Sequence, residues 1–185
     1  MKLKTFLISL FITICANGIA QQQQQLIGIS LNSDFENKFK FKPGFGVMYE
    51  YQLKKHHGFE IGLNFKTKTA KFLISGLTNE PFLNTINEFY LAMPVMYKFY
   101  TNIVNLSTGI TFDYFIGWDD VDKVEGLRTI SYSIEPKLNI GWAFKVGKTI
   151  KLSPKFVIEP EIQINPVFKY DYLYYGAAVK LKYKL

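Results

Sequence analysis

Two adjacent histidines, His56 and His57, are the side chains whose type first suggests chemistry, and the sequence contains only these 2 histidines. Imidazole binds zinc and acts as a general base. Either role needs further groups around the imidazole, and neither cysteine nor a cluster of carboxylates lies nearby in the sequence. We therefore interpret the pair as part of a polar turn, and we predict no metal-binding residue.

A second polar segment carries the carboxylates Asp119, Asp120, Asp122 and Glu125. Such a segment can bind calcium weakly, but its spacing differs from that of a dedicated calcium loop, so we expect a solvated loop. The sequence also contains no glycine-rich phosphate loop and no nucleophile elbow. We predict no catalytic residue and no cofactor, and hence that the protein is not an enzyme.

Apolar residues recur at every second position along much of the sequence, and this pattern is clearest at 129–146. The pattern defines the strands that would position any functional side chain. The odd positions there are small or polar, whereas the even positions are apolar. A strand points alternate side chains to opposite faces, so this segment predicts a strand with one apolar face. Its length exceeds the roughly five or six residues usual in soluble sheets and suits a strand that crosses a membrane. The apolar positions are Ile130, Tyr132, Ile134, Pro136, Leu138, Ile140, Trp142, Phe144 and Val146.

The same alternation recurs along the chain, and no helical period of adequate length follows the N-terminal segment. We therefore predict an all-β fold, an eight-stranded antiparallel transmembrane β-barrel. Proline removes a ladder donor, so Pro136, Pro154 and Pro160 on the predicted outward face should mark bulges, whereas Pro94 falls on the inward face. The apolar faces of the eight predicted strands lie within 27–31, 45–53, 59–65, 89–99, 106–118, 130–146, 150–164 and 172–185.

The connections between the predicted strands alternate in length. Outer-membrane barrels have long external loops and short periplasmic turns. An N-terminus in the periplasm would place every long connection outside the cell and every short one inside. The long connections lie near 32–42, 76–87, 119–128 and 165–171, and the short ones are 54–57, 102–104 and 147–148.

Residues 1–20 have the pattern of a cleaved secretory signal peptide. Lys2 and Lys4 precede a short apolar segment, and Gly18 and Ala20 place small residues at both positions that determine cleavage. The rival interpretation is a lipoprotein signal at Cys15, but Ile14 stands where such signals need a small residue. Cleavage after Ala20 removes the 1 cysteine of the sequence and leaves 21–185 as the barrel domain, without disulfides.

The last residues form another alternating strand, with apolar residues at every second position back from Leu185. This arrangement resembles the terminal strand that the outer-membrane insertion machinery recognises, and we expect that machinery to be a partner. The signal usually ends in an aromatic residue, and here the nearest aromatic is Tyr183.

The inward positions of the predicted strands carry many charges. An eight-stranded barrel is only wide enough for side chains to fill, so we expect the charges to pair across the lumen and plug it. A narrow channel is the alternative. The predicted lumen charge network comprises Glu50, Glu60, Lys66, Lys98, Asp113, Glu135, Lys137, Lys155, Glu159 and Glu161, with Lys145, Lys151 and Lys180 also on inward positions.

Aromatic residues gather near the ends of the predicted strands. Amphipathic rings favour the interfacial layers of a membrane, so this clustering predicts two aromatic girdles. The predicted girdle residues are Tyr97, Phe99, Trp118, Trp142, Phe144, Tyr172 and Tyr183.

The formal net charge is +7, and removal of Lys2 and Lys4 leaves 7 − 2 = +5. The lysines are spread along the chain and no recognition motif accompanies them, so we expect no nucleic-acid partner. We expect instead a monomer in contact with outer-membrane lipid and lipopolysaccharide. A secreted lipocalin would need an apolar interior. A lipid-A-modifying enzyme would need its histidines at the outer leaflet, whereas the pair falls in a predicted periplasmic turn.

Three segments carry a resemblance to a known family: 44–51 (GFGVMYEY), 58–63 (GFEIGL) and 89–100 (FYLAMPVMYKFY). They resemble the small outer-membrane β-barrel (porin-family) proteins common in Bacteroidota. The most specific part is Tyr-Leu-x-x-Pro-x-x-x-Lys, from Tyr90 to Lys98. The resemblance covers about 21–185 and implies a barrel in the outer membrane with a structural, adhesive or ligand-binding role. It implies no catalytic residues.

Overall fold

The computed structural model of the chain describes residues 24–35, 42–74, 82–120, 137–167 and 172–185. They form one antiparallel sheet that closes on itself, because β1 pairs with β2 and β9 while β6 pairs with β8. The strands are β1 (Gln24–Phe35), β2 (Pro43–Lys54), β3 (His57–Ile74), β4 (Phe82–Tyr100), β5 (Asn105–Asp120), β6 (Leu138–Gly147), β7 (Ile150–Lys151), β8 (Phe156–Val167) and β9 (Tyr172–Lys184).

The two-residue β7 is the continuation of β6. Gly147 lies opposite Glu161 and Ile150 lies opposite Ile158, which is a single unbroken register along β8. The interruption falls at Lys148, whose backbone N–H donates to the carbonyl of Pro160 across the ladder. Pro160 has no N–H to donate in return, so the ladder loses one bond there. The ring therefore has eight strands, and the predicted eight-stranded antiparallel barrel is confirmed.

The turn that follows β7 differs from the prediction. We expected it at 147–148, whereas the backbone N–H groups of Leu152 and Ser153 both donate to the carbonyl of Phe156, at 3.0 and 3.1 Å. The Ser153 hydroxyl accepts from the backbone N–H of Phe156 at 3.0 Å. These bonds close a hairpin turn at 152–155, so Pro154 lies in a turn and not on a strand face.

The prolines disturb the ladders without shifting them. Pro160 lies opposite Val179 in a β8–β9 register that has no shift, so the bulge expected there is wrong. Pro94 is buried on the inward face, as predicted. The pairing of β3 with β4 skips Gly62 and Leu63 beside it, because proline lacks the donor. Pro136 lies outside the described residues.

Side chains alternate between the two faces of the barrel wall as the period of two predicts. In β6, Ile140, Trp142 and Phe144 are exposed, whereas Ala143 and Lys145 are buried. The same holds for β1 to β5, β8 and β9, where apolar side chains form the exposed outer face. The buried interior holds more polar and charged residues than apolar ones. This is the reverse of a soluble barrel such as a lipocalin.

A β-bulge near the end of β5 reverses which of its residues face inward and which face outward. Tyr90 lies opposite Phe115 and Phe89 lies opposite Gly117, so Ile116 is the extra residue of a β-bulge. Beyond the bulge, Trp118 lies opposite Glu88, whose side chain is buried. Directly opposed residues share a face, so Trp118 lies on the inward face and its predicted place in an outward girdle is wrong.

The strands reach further than predicted at the end of the barrel that carries the long connections. β3 continues to Ile74 and β4 begins at Phe82, inside the segment 76–87 that we expected to be a loop. Paired residues extend the β3–β4 ladder to the pair Ile74 and Phe82. The wall of the barrel is therefore taller on this side. Within the described residues, no helix has the length and apolar character needed to span a membrane.

Gly109 is required by a close approach of β4 to β5. A Cβ atom at this position would lie 2.0 Å from the carbonyl oxygen of Val95 and 2.8 Å from the Cα atom of Met96, both of them backbone atoms. We predict that Gly109→Ala destabilises the barrel by about 1–3 kcal/mol, because the β4–β5 ladder must shift to accept the methyl group. Urea unfolding of the folded barrel, followed by tryptophan fluorescence, measures the effect.

Gly117 on the same strand is the matched control. A Cβ atom there meets no atom within 4 Å, so Gly117→Ala should leave the unfolding midpoint unchanged or raise it slightly. Equal midpoints for the two variants would contradict the close approach at Gly109.

Candidate functional site: the charged lumen

The lumen at the short-turn end is organised around Lys98, whose side chain is completely buried. β4 places its ammonium Nζ 3.0 Å from Glu50 Oε2, 3.2 Å from Glu60 Oε2 and 2.9 Å from Glu159 Oε1. These carboxylates come from β2, β3 and β8. Lys98 therefore joins four strands of the wall through one charged group.

Two lysines of β9 complete this cluster. Lys180 Nζ lies 2.6 Å from Glu60 Oε1 and 2.7 Å from Glu161 Oε2. Lys182 Nζ lies 2.6 Å from Glu50 Oε2 and also contacts Glu159. Each of these lysines bridges two carboxylates. We call this group the lysine–glutamate cluster; its members are Lys98, Lys180, Lys182, Glu50, Glu60, Glu159 and Glu161.

Neutral side chains satisfy carboxylate oxygens of the same cluster. The Tyr100 hydroxyl donates to Glu50 Oε1 at 2.7 Å, and the Asn105 amide donates to Glu159 Oε1 at 3.0 Å. Buried charges are tolerated only when they are paired and hydrogen-bonded, and the cluster meets both conditions. It contains three cations and four anions, so removing any cation leaves a larger excess of negative charge.

A small cavity of about 20 Å³ lies in the lumen beside the cluster. Glu60 and Lys180 of the cluster line it together with Lys66, Lys145 and Asn165. Both amide atoms of Asn165 are buried without a hydrogen-bond partner among the described residues. A cavity of this size holds about one water molecule, so the described side chains pack the lumen closely at this level.

Beyond the cavity, a second group of charges fills the lumen toward the long connections. Lys66 Nζ lies 3.5 Å from Asp34 Oδ2, and Lys68 Nζ lies 2.9 Å from Asp113 Oδ2. The Lys68 ammonium also lies over the rings of Tyr90 and Tyr174, 4.5 and 4.6 Å from their centroids. Cation–π contacts to two rings hold this lysine across the lumen. The interior is thus filled at three successive levels.

The structure brings most of the predicted network residues together and places two elsewhere. Glu50, Glu60, Lys98, Glu159 and Glu161 meet in the lysine–glutamate cluster, while Lys66 and Asp113 lie in the group beyond the cavity. Glu135 lies outside the described residues. The two predicted members that join neither group are Lys137 and Lys155, which are exposed at the two ends of the barrel.

Each exception has a physical reason. Lys137 precedes β6, where its carbonyl accepts from Phe115 at the barrel rim. Lys155 belongs to the 152–155 turn that the sequence interpretation had assigned to a strand. The prediction also missed Asp34, Lys68 and Lys182, which are buried in the lumen. Lys182 shares the inward parity of Lys180, and that alternation was the signal available to find it.

The predicted girdle residues near the short-turn end lie on the outer face. Tyr97, Phe99, Trp142 and Phe144 are exposed there. Tyr183 packs edge-on against Phe156, with ring centroids 5.3 Å apart. The side chain of Tyr172, at the start of β9, lies outside the described part of the molecule.

The two histidines lie beside this aromatic layer. His57 Nδ1 lies 2.5 Å from the Tyr97 hydroxyl, and His56 Nδ1 lies 2.8 Å from the carbonyl oxygen of Tyr100. Both pairs are exposed, and among the described residues no group of three or more His, Cys, Asp or Glu side chains is placed to hold a metal ion. The contacts of the pair hold the β2–β3 turn against the end of β4.

The sequence matches no family model and no curated protein. Solved structures resemble the fold. The outer membrane protein OprG of Pseudomonas aeruginosa has a TM-score of 0.50 at 12% identity, covering 88% of this chain and 95% of that chain. The fold is that of a small outer-membrane β-barrel. The N-terminal β-barrel domain of P. aeruginosa OprF gives 0.49 at 10% identity, covering 89% of this chain and 100% of that chain. Ail, the attachment invasion locus protein of Yersinia pestis, gives 0.48 at 14% identity, covering 88% and 97%.

An apolar outer face around a charged interior is the arrangement of a barrel that crosses a membrane. The described strands also close into a ring, so their backbone groups pair within the wall, which is the condition for spanning lipid with strands. The chain is therefore an outer-membrane barrel with transmembrane strands.

Proposed function

We propose that this protein is a non-conducting outer-membrane barrel that holds its long connections at the cell surface, in a structural, adhesive or ligand-binding role. The lysine–glutamate cluster carries the proposal. Four strands meet at Lys98 through ion pairs of 2.9–3.2 Å, a geometry that braces the wall and fills the lumen at once. A barrel braced in this way suits a rigid support for surface loops.

The orientation belongs to the same proposal. Short turns characterise the periplasmic end of outer-membrane barrels and long loops the external end. We place the 55–56, 101–104 and 152–155 turns in the periplasm and the long connections outside. Residues 1–20 then act as a cleaved signal peptide, and the external end meets lipopolysaccharide. The barrel is proposed to be a monomer. The resemblance of 89–100 to Bacteroidota porin-family barrels supports this assignment.

A narrow channel is the second candidate, and the cavity beside Lys145 and Asn165 favours it. The polar lining of the cavity would form part of an aqueous path if the ion pairs above and below it separated. Ions could pass only if the lysine–glutamate cluster, the cavity level and the group beyond the cavity all opened. The ion pairs that close two of these levels argue against a channel. We propose no enzymatic activity, because the histidine pair is engaged with Tyr97 and Tyr100 at the exposed short-turn end.

Planar-bilayer recording tests the plugged lumen. We predict that the purified barrel gives no steady single-channel current in about 1 M salt, because ion pairs and side chains close the lumen at successive levels. A heat-modifiable band on a gel run with the same preparation confirms that the inserted protein is folded.

A regular, uniform conductance from the folded barrel would contradict the proposal and support the channel. The informative companion is Lys68→Ala, which removes the cation held between Tyr90 and Tyr174. If the lumen is plugged at several levels, this variant should stay silent as well. A current that appears only in Lys68→Ala would place the whole barrier at that level.

A further inference from the structure

Acidic and basic side chains of the barrel differ in where they are exposed. Among the described Asp and Glu residues whose side chains the structure places, only Asp119 is exposed, and it lies at the end of the long connections. The short-turn end, by contrast, exposes lysines. The other described Asp and Glu side chains are buried in the lumen, so the exposed lysines at this end have no exposed Asp or Glu side chain among the described residues beside them.

Several of these lysines occur together on the β7–β8 hairpin and the end of β9. Lys148, Lys151 and Lys155 are exposed, and Lys184 is half-buried. The backbone N–H of Lys184 donates to the carbonyl of Lys155 at 2.9 Å, which fixes the end of β9 against the hairpin. We call these residues, Lys148, Lys151, Lys155 and Lys184, the lysine rim.

The rim extends past the neighbouring wall. β5 begins at Asn105, opposite Gly147, so the hairpin beyond Gly147 has no strand on that side. From Gly147 to Lys151 the chain advances about 13 Å. The outer face of this extension is mostly apolar: Ile150 and Leu152 are exposed there. Lys148 is exposed on the same face, because it lies two residues before Ile150. The projecting β7–β8 hairpin therefore combines exposed apolar side chains with the lysine rim. Such a combination suits the membrane level at which acyl chains meet lipid headgroups.

Aromatic rings stand at the same height. The Lys155 ammonium lies 5.7 Å from the centroid of the Tyr183 ring, which packs on Phe156. Tyrosine and lysine together mark the level of lipid headgroups, where the ring occupies the interface and the ammonium reaches the phosphates. Lysines near a membrane surface attract anionic headgroups.

We propose that the lysine rim binds the phosphate of an anionic phospholipid in the leaflet that the short-turn end contacts. The occupant is a membrane lipid because the apolar outer face of the hairpin continues directly into the lipid-facing wall. A soluble acidic partner would use the lysines but leave Ile150 and Leu152 unmatched. The assignment of the leaflet to the periplasmic side rests on the proposed orientation, whereas the binding itself does not.

Quenching of Trp142 by brominated lipid tests the site. The chain has 2 tryptophans, so Trp118→Phe leaves Trp142 as the only one. Trp142 is exposed on the outer face of β6. It lies six residues before Lys148, about 20 Å along the strand and about 15 Å in depth after tilting. Bromine at mid-chain of a lipid whose phosphate sits on the rim therefore comes close to this ring.

The Trp118→Phe barrel is reconstituted into mixtures of phosphatidylcholine and phosphatidylglycerol in which either lipid carries the bromine. We expect phosphatidylglycerol to be preferred about fivefold at Trp142, and less so at high salt. Adding Lys148→Gln, Lys151→Gln, Lys155→Gln and Lys184→Gln should bring the preference to one. The control Lys55→Gln, an exposed lysine on the β2–β3 turn of the same end, should retain it.

Equal quenching by the two lipids in the unmutated rim, or a preference that survives the four substitutions, would overturn the lipid site. Loss of the preference on adding millimolar glycerol phosphate would overturn it in favour of a free-phosphate site. Absence of quenching by brominated phosphatidylcholine would mean that the wall is not in lipid, and would overturn the membrane assignment as well. The bilayer recording is independent of all these outcomes.

Discussion

Lys98→Met should destabilise the folded barrel by about 3–5 kcal/mol. The substitution keeps a long apolar stem but removes the ammonium that contacts Glu50, Glu60 and Glu159. Four buried carboxylates would then face two lysines. Because the lumen excludes bulk water, these carboxylates would have to be protonated or drawn apart, and either change loosens the contacts among four strands. Urea unfolding in detergent or vesicles, read by tryptophan fluorescence and by gel mobility, measures the loss.

Two further variants separate charge from packing. Lys55→Met removes an exposed lysine and should change stability by no more than about 0.5 kcal/mol. Adding Glu159→Gln to Lys98→Met returns the cluster to an excess of one negative charge and should recover part of the loss. A double variant that is as unstable as Lys98→Met alone would show that Lys98 acts through packing. A Lys98→Met barrel as stable as Lys55→Met would refute the role of the cluster.

The sequence was sufficient to predict the faces of the strands, because alternation reports which side chains meet lipid. Ile140, Trp142 and Phe144 are outward, and Glu50, Glu60 and Lys98 are inward, as their parity predicts. An apolar outer face and a charged inner face together specify a closed barrel, since an open sheet would expose an edge in lipid. The fold class could therefore be inferred without any long-range information.

The errors arise where alternation continues but the strand does not. The pattern of residues 150–164 runs unbroken through Leu152 and Pro154, although the chain turns there. Nothing in the period of two distinguishes a turn that preserves parity from a continuous strand. The bulge at Ile116 is the opposite case, because one extra residue reverses the faces after it and moves Trp118 inward.

The sequence also could not predict which carboxylate each lysine of the lumen contacts. Parity places Lys145 and Lys180 on the same face, but only the stagger of the strands decides which carboxylate each ammonium reaches. Lys180 contacts Glu60 and Glu161 in this arrangement, from strands far apart in the chain. Register around a closed ring is a property of all eight strands together, and a single strand's pattern does not contain it.

Leu63→Arg should have the second largest effect, a loss of about 2–4 kcal/mol when the barrel is in a bilayer. Leu63 is exposed on the outer face of β3, six residues from the short-turn end, which places it about 15 Å deep after tilting. Arginine at that depth must leave its charge in the hydrocarbon or bend the chain toward the interface. Reversible unfolding from vesicles by urea, followed by tryptophan fluorescence, gives the difference in free energy.

Ile103→Arg is the matched substitution, because Ile103 is 75% exposed in the short 101–104 turn and lies beyond the apolar wall. It should cost less than about 0.5 kcal/mol. A soluble barrel would accept arginine equally well at both exposed positions, since each would meet water. Equal stability of the two variants would therefore contradict the assignment of the apolar outer face to membrane lipid. A large difference in vesicles that narrows in detergent would assign the apolar face to lipid, because flexible detergent lets water reach a charged side chain more readily.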